Sequence, residues 1–144
     1  MRELRSLSAS ECVRLLAGEQ FGRIVFTEAA LPAVRPVRYT LRAGAVVLQT
    51  CGASPVSKLD GCVVAFEVGH IDADCGKAWS VVVVGKAQVV TDADVVGWHD
   101  VGRYDVGRHD PACASWVPGD HQVFLRIPLD NVSGRCLATV MSWA

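Results

Sequence analysis

The chain is 144 residues long, 51% hydrophobic and 20% charged. That suits one domain with a true core and excludes a chain disordered as a whole. Fourteen Lys and Arg stand against fifteen Asp and Glu, a net charge of −1, so no basic excess exists to neutralise a nucleic-acid backbone or hold an anionic membrane.

The opening MRELRSLSASEC is charged and lacks an apolar signal-like stretch, and no run approaches the ~20 apolar residues that span a bilayer. A cytoplasmic protein is expected. Ser8-Ala9-Ser10-Glu11 has the spacing of a capping box. Leu7, Val13, Leu15 and Leu16 then form an apolar stripe that Gly18 closes, predicting a helix of about three turns. Residues 21–27 are β-rich and give a first strand. Pro32 breaks the chain, and residues 33–41 resume as a second strand in which Pro36 points to an edge or an irregular start. Residues 42–45 form a tight turn and residues 46–50 a third strand, the two strands pairing as a hairpin.

Residues 51–61 read as a loop leading into a short helix, with Ser54 as its cap and Pro55 at its first position. A fourth strand follows over 62–70 and a turn over 72–76. Residues 79–90 make the longest β segment, where Gly85 marks a bend or bulge. A helical stretch is expected from Thr91 to about Val101, then a loop over 102–120, then a last strand over 121–127 continued through 132–137. Valine dominates these segments, with 24 Val against 3 Ile, and 13 Gly and 6 Pro punctuate them. A mainly β domain over residues 1–144 is expected, as a closed or partly closed antiparallel barrel with a few short helices.

Most of the polar residues have plain structural readings. The six cysteines, Cys12, Cys51, Cys62, Cys75, Cys113 and Cys136, show no CxxC and no zinc-finger spacing, so free or buried thiols are expected. His70, His99, His109 and His121 are scattered, and the His/Asp-rich segment 99–110 has no HxxxH, so no metal site is assigned. There is no GxSxG, GxGxxG or Walker sequence. One group stands apart. In a hairpin turned at 42–45, paired positions sum to about 87, which brings Arg35 near Thr50 at the open end. Ser54, Ser57 and Lys58 follow at the start of a short helix. Two cations and several hydroxyls in a small volume are what a phosphate group requires.

Several segments, in order, resemble the flavin-binding split-barrel proteins of the pyridoxamine 5′-phosphate oxidase-like family. They are residues 7–12, 21–24 and 35–39 (Arg35-Pro36-Val37-Arg38-Tyr39), Leu48-Gln49-Thr50, Ser57-Lys58-Leu59, 64–68, 79–87 (Trp79-Ser80 onward), Trp116-Val117-Pro118-Gly119 and Ser133-Gly134-Arg135. The resemblance covers nearly the whole chain. It implies a six-stranded antiparallel split barrel, a homodimer, and FMN at the dimer interface. It further implies cofactor contacts from Arg35, Val37, Gln49, Thr50, Ser57 and Lys58, and from Ser80 reaching across from the partner subunit.

A flavin-dependent oxidoreductase acting on a small molecule is the expected function. The alternatives are an F420-dependent reductase of the same fold, or a flavin- or haem-binding module without turnover. No residue is assigned as catalytic acid or base. Thr40 stands where the family has a second lysine, and the family's arginine-rich C-terminal segment has no counterpart here. A phosphorylated pyridoxine is therefore not the expected substrate.

Overall fold

The computed structural model describes residues 2–90 and 122–139. The helix expected after Thr91, the loop over 102–120 with its His/Asp-rich segment, and Trp116–Gly119 lie outside the described residues. Helix α1 (Ala9–Ala17) forms where its caps predict. Ser8 Oγ accepts from the Glu11 N–H at 3.2 Å, and Glu11 Oε2 accepts from the Ser8 N–H at 2.8 Å. The Ser8 N–H, aided by Arg5, holds the Glu11 carboxyl below its ordinary value. The helix buries Cys12 and Leu16. Its close approach to the sheet depends on Gly134, where a Cβ would lie 2.7 Å from Cys12 Sγ and 2.9 Å from Leu7 Cδ1.

Nine strands are described: β1 (Arg2–Ser6), β2 (Phe21–Glu28), β3 (Leu31–Arg42), β4 (Ala45–Cys51), β5 (Val63–Asp72), β6 (Lys77–Lys86), β7 (Gln88–Val90), β8 (Gln122–Pro128) and β9 (Val132–Thr139). A single-turn 3₁₀ helix, Pro55–Lys58, follows β4. All pairings are antiparallel, in the order β1-β9-β6-β5-β2-β3-β4-β8-β7. The sheet curls into a split barrel because one long ribbon serves both ends. β6 pairs with β5 and β9, and its continuation β7 pairs with β8. The break falls at Ala87, one residue past Lys86, where Ala87 bonds to Cys62 and Gly61 instead. The expected bend near Gly85 is therefore a change of partner strand.

Several expectations are corrected. Nine strand segments replace the expected six, because β1 pairs with β9 through a charged stretch that carries no β signal, and because β7 is separate from β6 and β9 from β8. β9 does not continue β8; it crosses to pair with β1 and β6. The turn between β2 and β3 falls at Ala29 and Ala30, both at positive φ (49° and 63°), and Pro32 lies inside β3 opposite Thr27. The β3–β4 ladder runs only from Arg42 back to Arg38. At Pro32 and Pro36, β3 therefore has β2 on one side and no ladder on the other, so no N–H is missed. Cys51 is disulfide-bonded, and Cys62 is exposed rather than buried.

The core is the inner face of this curl. Ile24, Phe26, Tyr39, Leu48, Phe66, Val81, Val83, Leu125 and Ile127 fill it, and Val56 and Leu59 join it from the segment that follows β4. Tyr39 meets Phe66 edge to face with centroids 4.8 Å apart, and its hydroxyl donates to the Leu16 carbonyl oxygen, tying α1 to the barrel. Burial raises the Tyr39 phenol well above its ordinary value. No helix among the described residues is long and apolar enough to cross a membrane.

Candidate functional site

The β3–β4 hairpin takes the expected register, but the expected approach of Arg35 to Thr50 is not part of its ladder. Arg38 pairs with Gln49 and Tyr39 with Leu48, a sum of 87, and the ladder stops there. Beyond it Thr50 pairs with Val123 of β8, and Val37 with Gly22 of β2. Val37, Gln49 and Thr50 are all buried, Thr50 at 2% exposure. Arg35 is exposed and sits across from Ile24 of β2.

Lys58 ends the 3₁₀ turn and lines a groove of about 310 Å³ with Phe26, Thr27, Glu28, Leu59 and Cys62. Arg35 does not line that groove. It lies on the neighbouring strand, two pairs from the position where Phe26 meets Ala33. Among the described residues neither Arg35 nor Lys58 forms an ion pair.

Ser54 caps the 3₁₀ turn as expected, and Ser57 turns onto the same loop. Ser54 is buried and accepts from the Val56 N–H at 3.3 Å. Ser57 Oγ donates to the carbonyl oxygens of Ser54 and Gly52, at 2.7 and 3.0 Å. Both hydroxyls thus hold the loop's own backbone. The 3₁₀ segment has four residues, too short to bring a helix dipole to the site. Among the described residues Arg35 and Lys58 are both exposed, and the exposed Glu28 lines the Lys58 groove as well.

Ser80 lies elsewhere, on the outer face of β6. It lines an open groove of about 440 Å³ with Arg23, Glu67, Trp79, Arg135 and Leu137. Ser80 Oγ donates to Glu67 Oε1 at 3.1 Å, and Glu67 Oε2 accepts from Arg23 at 2.6 Å. Sequence reading missed Arg23, Glu67 and Arg135 as site residues. The signal that finds them is register: Arg23 pairs with Glu67, Gly69 with Ser80, and Ser80 with Arg135.

A family model described as pyridoxamine 5′-phosphate oxidase matches residues 8–136. The chain belongs to this family. It is also 42% identical over 101 residues to an uncharacterized protein of Mycobacterium tuberculosis. That match covers 66% of this chain and 66%, just under two thirds, of that protein. Among solved structures, a FAD-binding protein from Mesorhizobium loti superposes with a TM-score of 0.71 at 23% identity, covering 96% of this chain and 100% of that one. A FAD binding protein from Mycobacterium smegmatis gives 0.69 at 23% identity, covering 93% and 98%. At such identity these two likenesses establish the split-barrel fold that the family shares.

Proposed function

We propose that this member of the family is a cytoplasmic homodimer that binds FMN and serves as a flavin-dependent oxidoreductase for a small molecule. The observation that carries the reading is that Arg35, on β3 beyond the end of the β3–β4 ladder, and Lys58, at the end of the 3₁₀ turn that follows β4, are both exposed and neither is in an ion pair among the described residues. A phosphate monoester prefers charge-assisted hydrogen bonds, which both cations can donate. Val37, Gln49 and Thr50 form the closed strand end against which the chain of a phosphorylated flavin would lie. Ser57, whose hydroxyl donates to the loop's own carbonyl oxygens, stands beside Lys58 and completes the set. The flavin supplies the electron and hydride chemistry, while the protein supplies binding and orientation.

The homodimer is supported by a row of apolar side chains on the outer face. Val34 pairs with Val25, Val25 with Ala65, and Ala65 with Val84, so one line crosses four strands. Val34 is 51% exposed and Val84 36%. A second copy is the simplest cover for such a line, and it would bring the Ser80 groove of one subunit toward the cation pair of the other.

Titration of the apoprotein with FMN and with FAD, followed by flavin fluorescence, tests the reading. Saturable FMN binding is expected, tighter than FAD. Arg35→Ala and Lys58→Ala should each weaken it about ten- to a hundred-fold, the worth of one charge-assisted hydrogen bond of roughly 1.5–3 kcal/mol. Tight FAD binding without FMN binding, or FMN binding indifferent to both substitutions, overturns it.

A further inference from the structure

The outer groove holds a polar chain that the core does not include. Arg23, Glu67 and Ser80 stand on three adjacent strands and are joined at 2.6 and 3.1 Å. Gly69 makes the arrangement possible: a Cβ there would lie 2.5 Å from Glu67 Oε1 and 3.0 Å from the Trp79 carbonyl oxygen. The glycine leaves room for the carboxylate to lie flat along β5 and reach Ser80.

A hydroxyl has one proton and two lone pairs, whereas a carboxylate only accepts. With its proton committed to Glu67, Ser80 has only lone pairs left to offer the groove. Directly across on β9 stands Arg135, which pairs with Ser80 in register. Its Nη1 donates to Ser6 Oγ at 2.8 Å. A guanidinium carries five N–H donors, so others remain for the groove it lines. The groove floor therefore presents an acceptor beside a donor.

We infer that Glu67, held by Arg23, is a positioning residue that fixes Ser80 as a hydrogen-bond acceptor, so that Ser80 and Arg135 together read an imide edge, an N–H beside a C=O. This inference rests on the flavin reading, since the pyrimidinedione edge of a flavin is such an edge, with N3–H between two carbonyls. Glu67→Gln reverses the polarity. Its amide oxygen must face the Arg23 donor, so its NH₂ faces Ser80 and turns the serine proton outward. Ser80→Ala removes the acceptor altogether.

The test compares the affinities of FMN and 3-methyl-FMN for the full-length protein, its Glu67→Gln and Ser80→Ala variants, and Lys58→Ala. Wild type should prefer FMN about tenfold, the worth of one hydrogen bond with a buried partner left unmade. Ser80→Ala and Glu67→Gln should bring that ratio to within about twofold. Lys58→Ala should weaken both ligands while keeping the ratio, which separates this readout from the phosphate contact. A merely structural role for Glu67 would weaken both ligands alike and leave the ratio intact, and that result overturns the inference. So does a tenfold ratio that survives Ser80→Ala, because the N-methyl group is then excluded by bulk alone. Absence of FMN binding by wild type fells the flavin reading and this inference with it, whereas FMN binding without N3 discrimination fells this inference only.

Discussion

The two faces of the β5–β6 hairpin are built on the same backbone and have different purposes. On the inner face Phe66 pairs with Val83 and Val68 with Val81, and all four are at most 2% exposed. One residue along, the outer face carries Ala65 against Val84, Glu67 against Val82 and Gly69 against Ser80. The inner set is uniformly apolar and explained by one subunit's core. The outer set mixes solvent-facing valines with an ion pair and a carboxylate-bound serine, which lie outside that core. Slipping the hairpin by one residue would exchange the sets, so the inner face fixes the register and the outer face inherits its geometry from it.

Truncating the inner face should have the largest effect. Phe66→Ala removes a fully buried ring that touches Tyr39, and about 3–5 kcal/mol of stability should be lost in chemical denaturation. A loss under about 1 kcal/mol would mean that Phe66 does not hold the core. Filling the same place from the other side should also destabilise. A Cβ at Gly22 would sit 2.5 Å from Phe66 Cζ and 2.8 Å from the Glu67 carbonyl oxygen. Ring and strand must both shift, so Gly22→Ala should cost about 1–3 kcal/mol. Combined with Phe66→Ala it should cost less than the sum, because the cavity accepts the methyl group. Additive losses would show that backbone, not the ring, sets the glycine requirement.

A smaller effect is expected at the helix that closes the barrel. Ser8→Ala removes half of the capping box and should cost about 1 kcal/mol. The other half is pH-dependent. The Glu11 carboxyl is held below its ordinary value, first by the Ser8 N–H and then by Arg5. A depressed folded-state value means that the contribution is present above the ordinary carboxylate range and disappears as pH falls through the lowered value. The stability gap between wild type and Glu11→Ala should therefore hold at neutral pH and close in acid. A gap unchanged across that range would rule out the carboxylate as the capping group.

Local chemistry was legible in the sequence wherever neighbours in the chain supply the partners. The capping box of α1, the Ser54 cap and the β3–β4 register all follow from residues within about ten positions of one another. The Ala29-Ala30 turn was not legible, because alanine is a poor occupant of positive φ and nothing local announces it. β1 was not legible either, since Arg2–Ser6 pairs only with β9 at the far end of the chain. The site divides in the same way. Arg35 and Lys58 were singled out from spacing and resemblance. The direction of the Ser57 hydroxyl, back onto its own loop, depends on a 3₁₀ geometry that spacing does not specify. The Arg23–Glu67–Ser80 chain spans 44 and 13 residues of sequence, and only the β2–β5–β6 register joins it.

The smallest expected change in a subunit's own fold separates the two faces most directly. Val84 stands in the outer row, 36% exposed, while its neighbour Val83 is fully buried. Val83→Asp would bury an unpaired charge and unfold the chain. Val84→Asp places the same charge on the outside, where a substitution alters a subunit's stability by no more than about 0.5 kcal/mol. If the outer row is the dimer seam, however, a charge on each copy meets its like across a dry contact. Wild-type protein should sediment as a dimer, and its denaturation midpoint should rise with protein concentration, as mass action requires. Val84→Asp should sediment as a folded monomer whose midpoint is independent of concentration. A variant that remains dimeric would move the seam away from this row. A wild type that is monomeric at every concentration would leave the outer valines without a second copy to cover them, and Ser80 without a facing subunit.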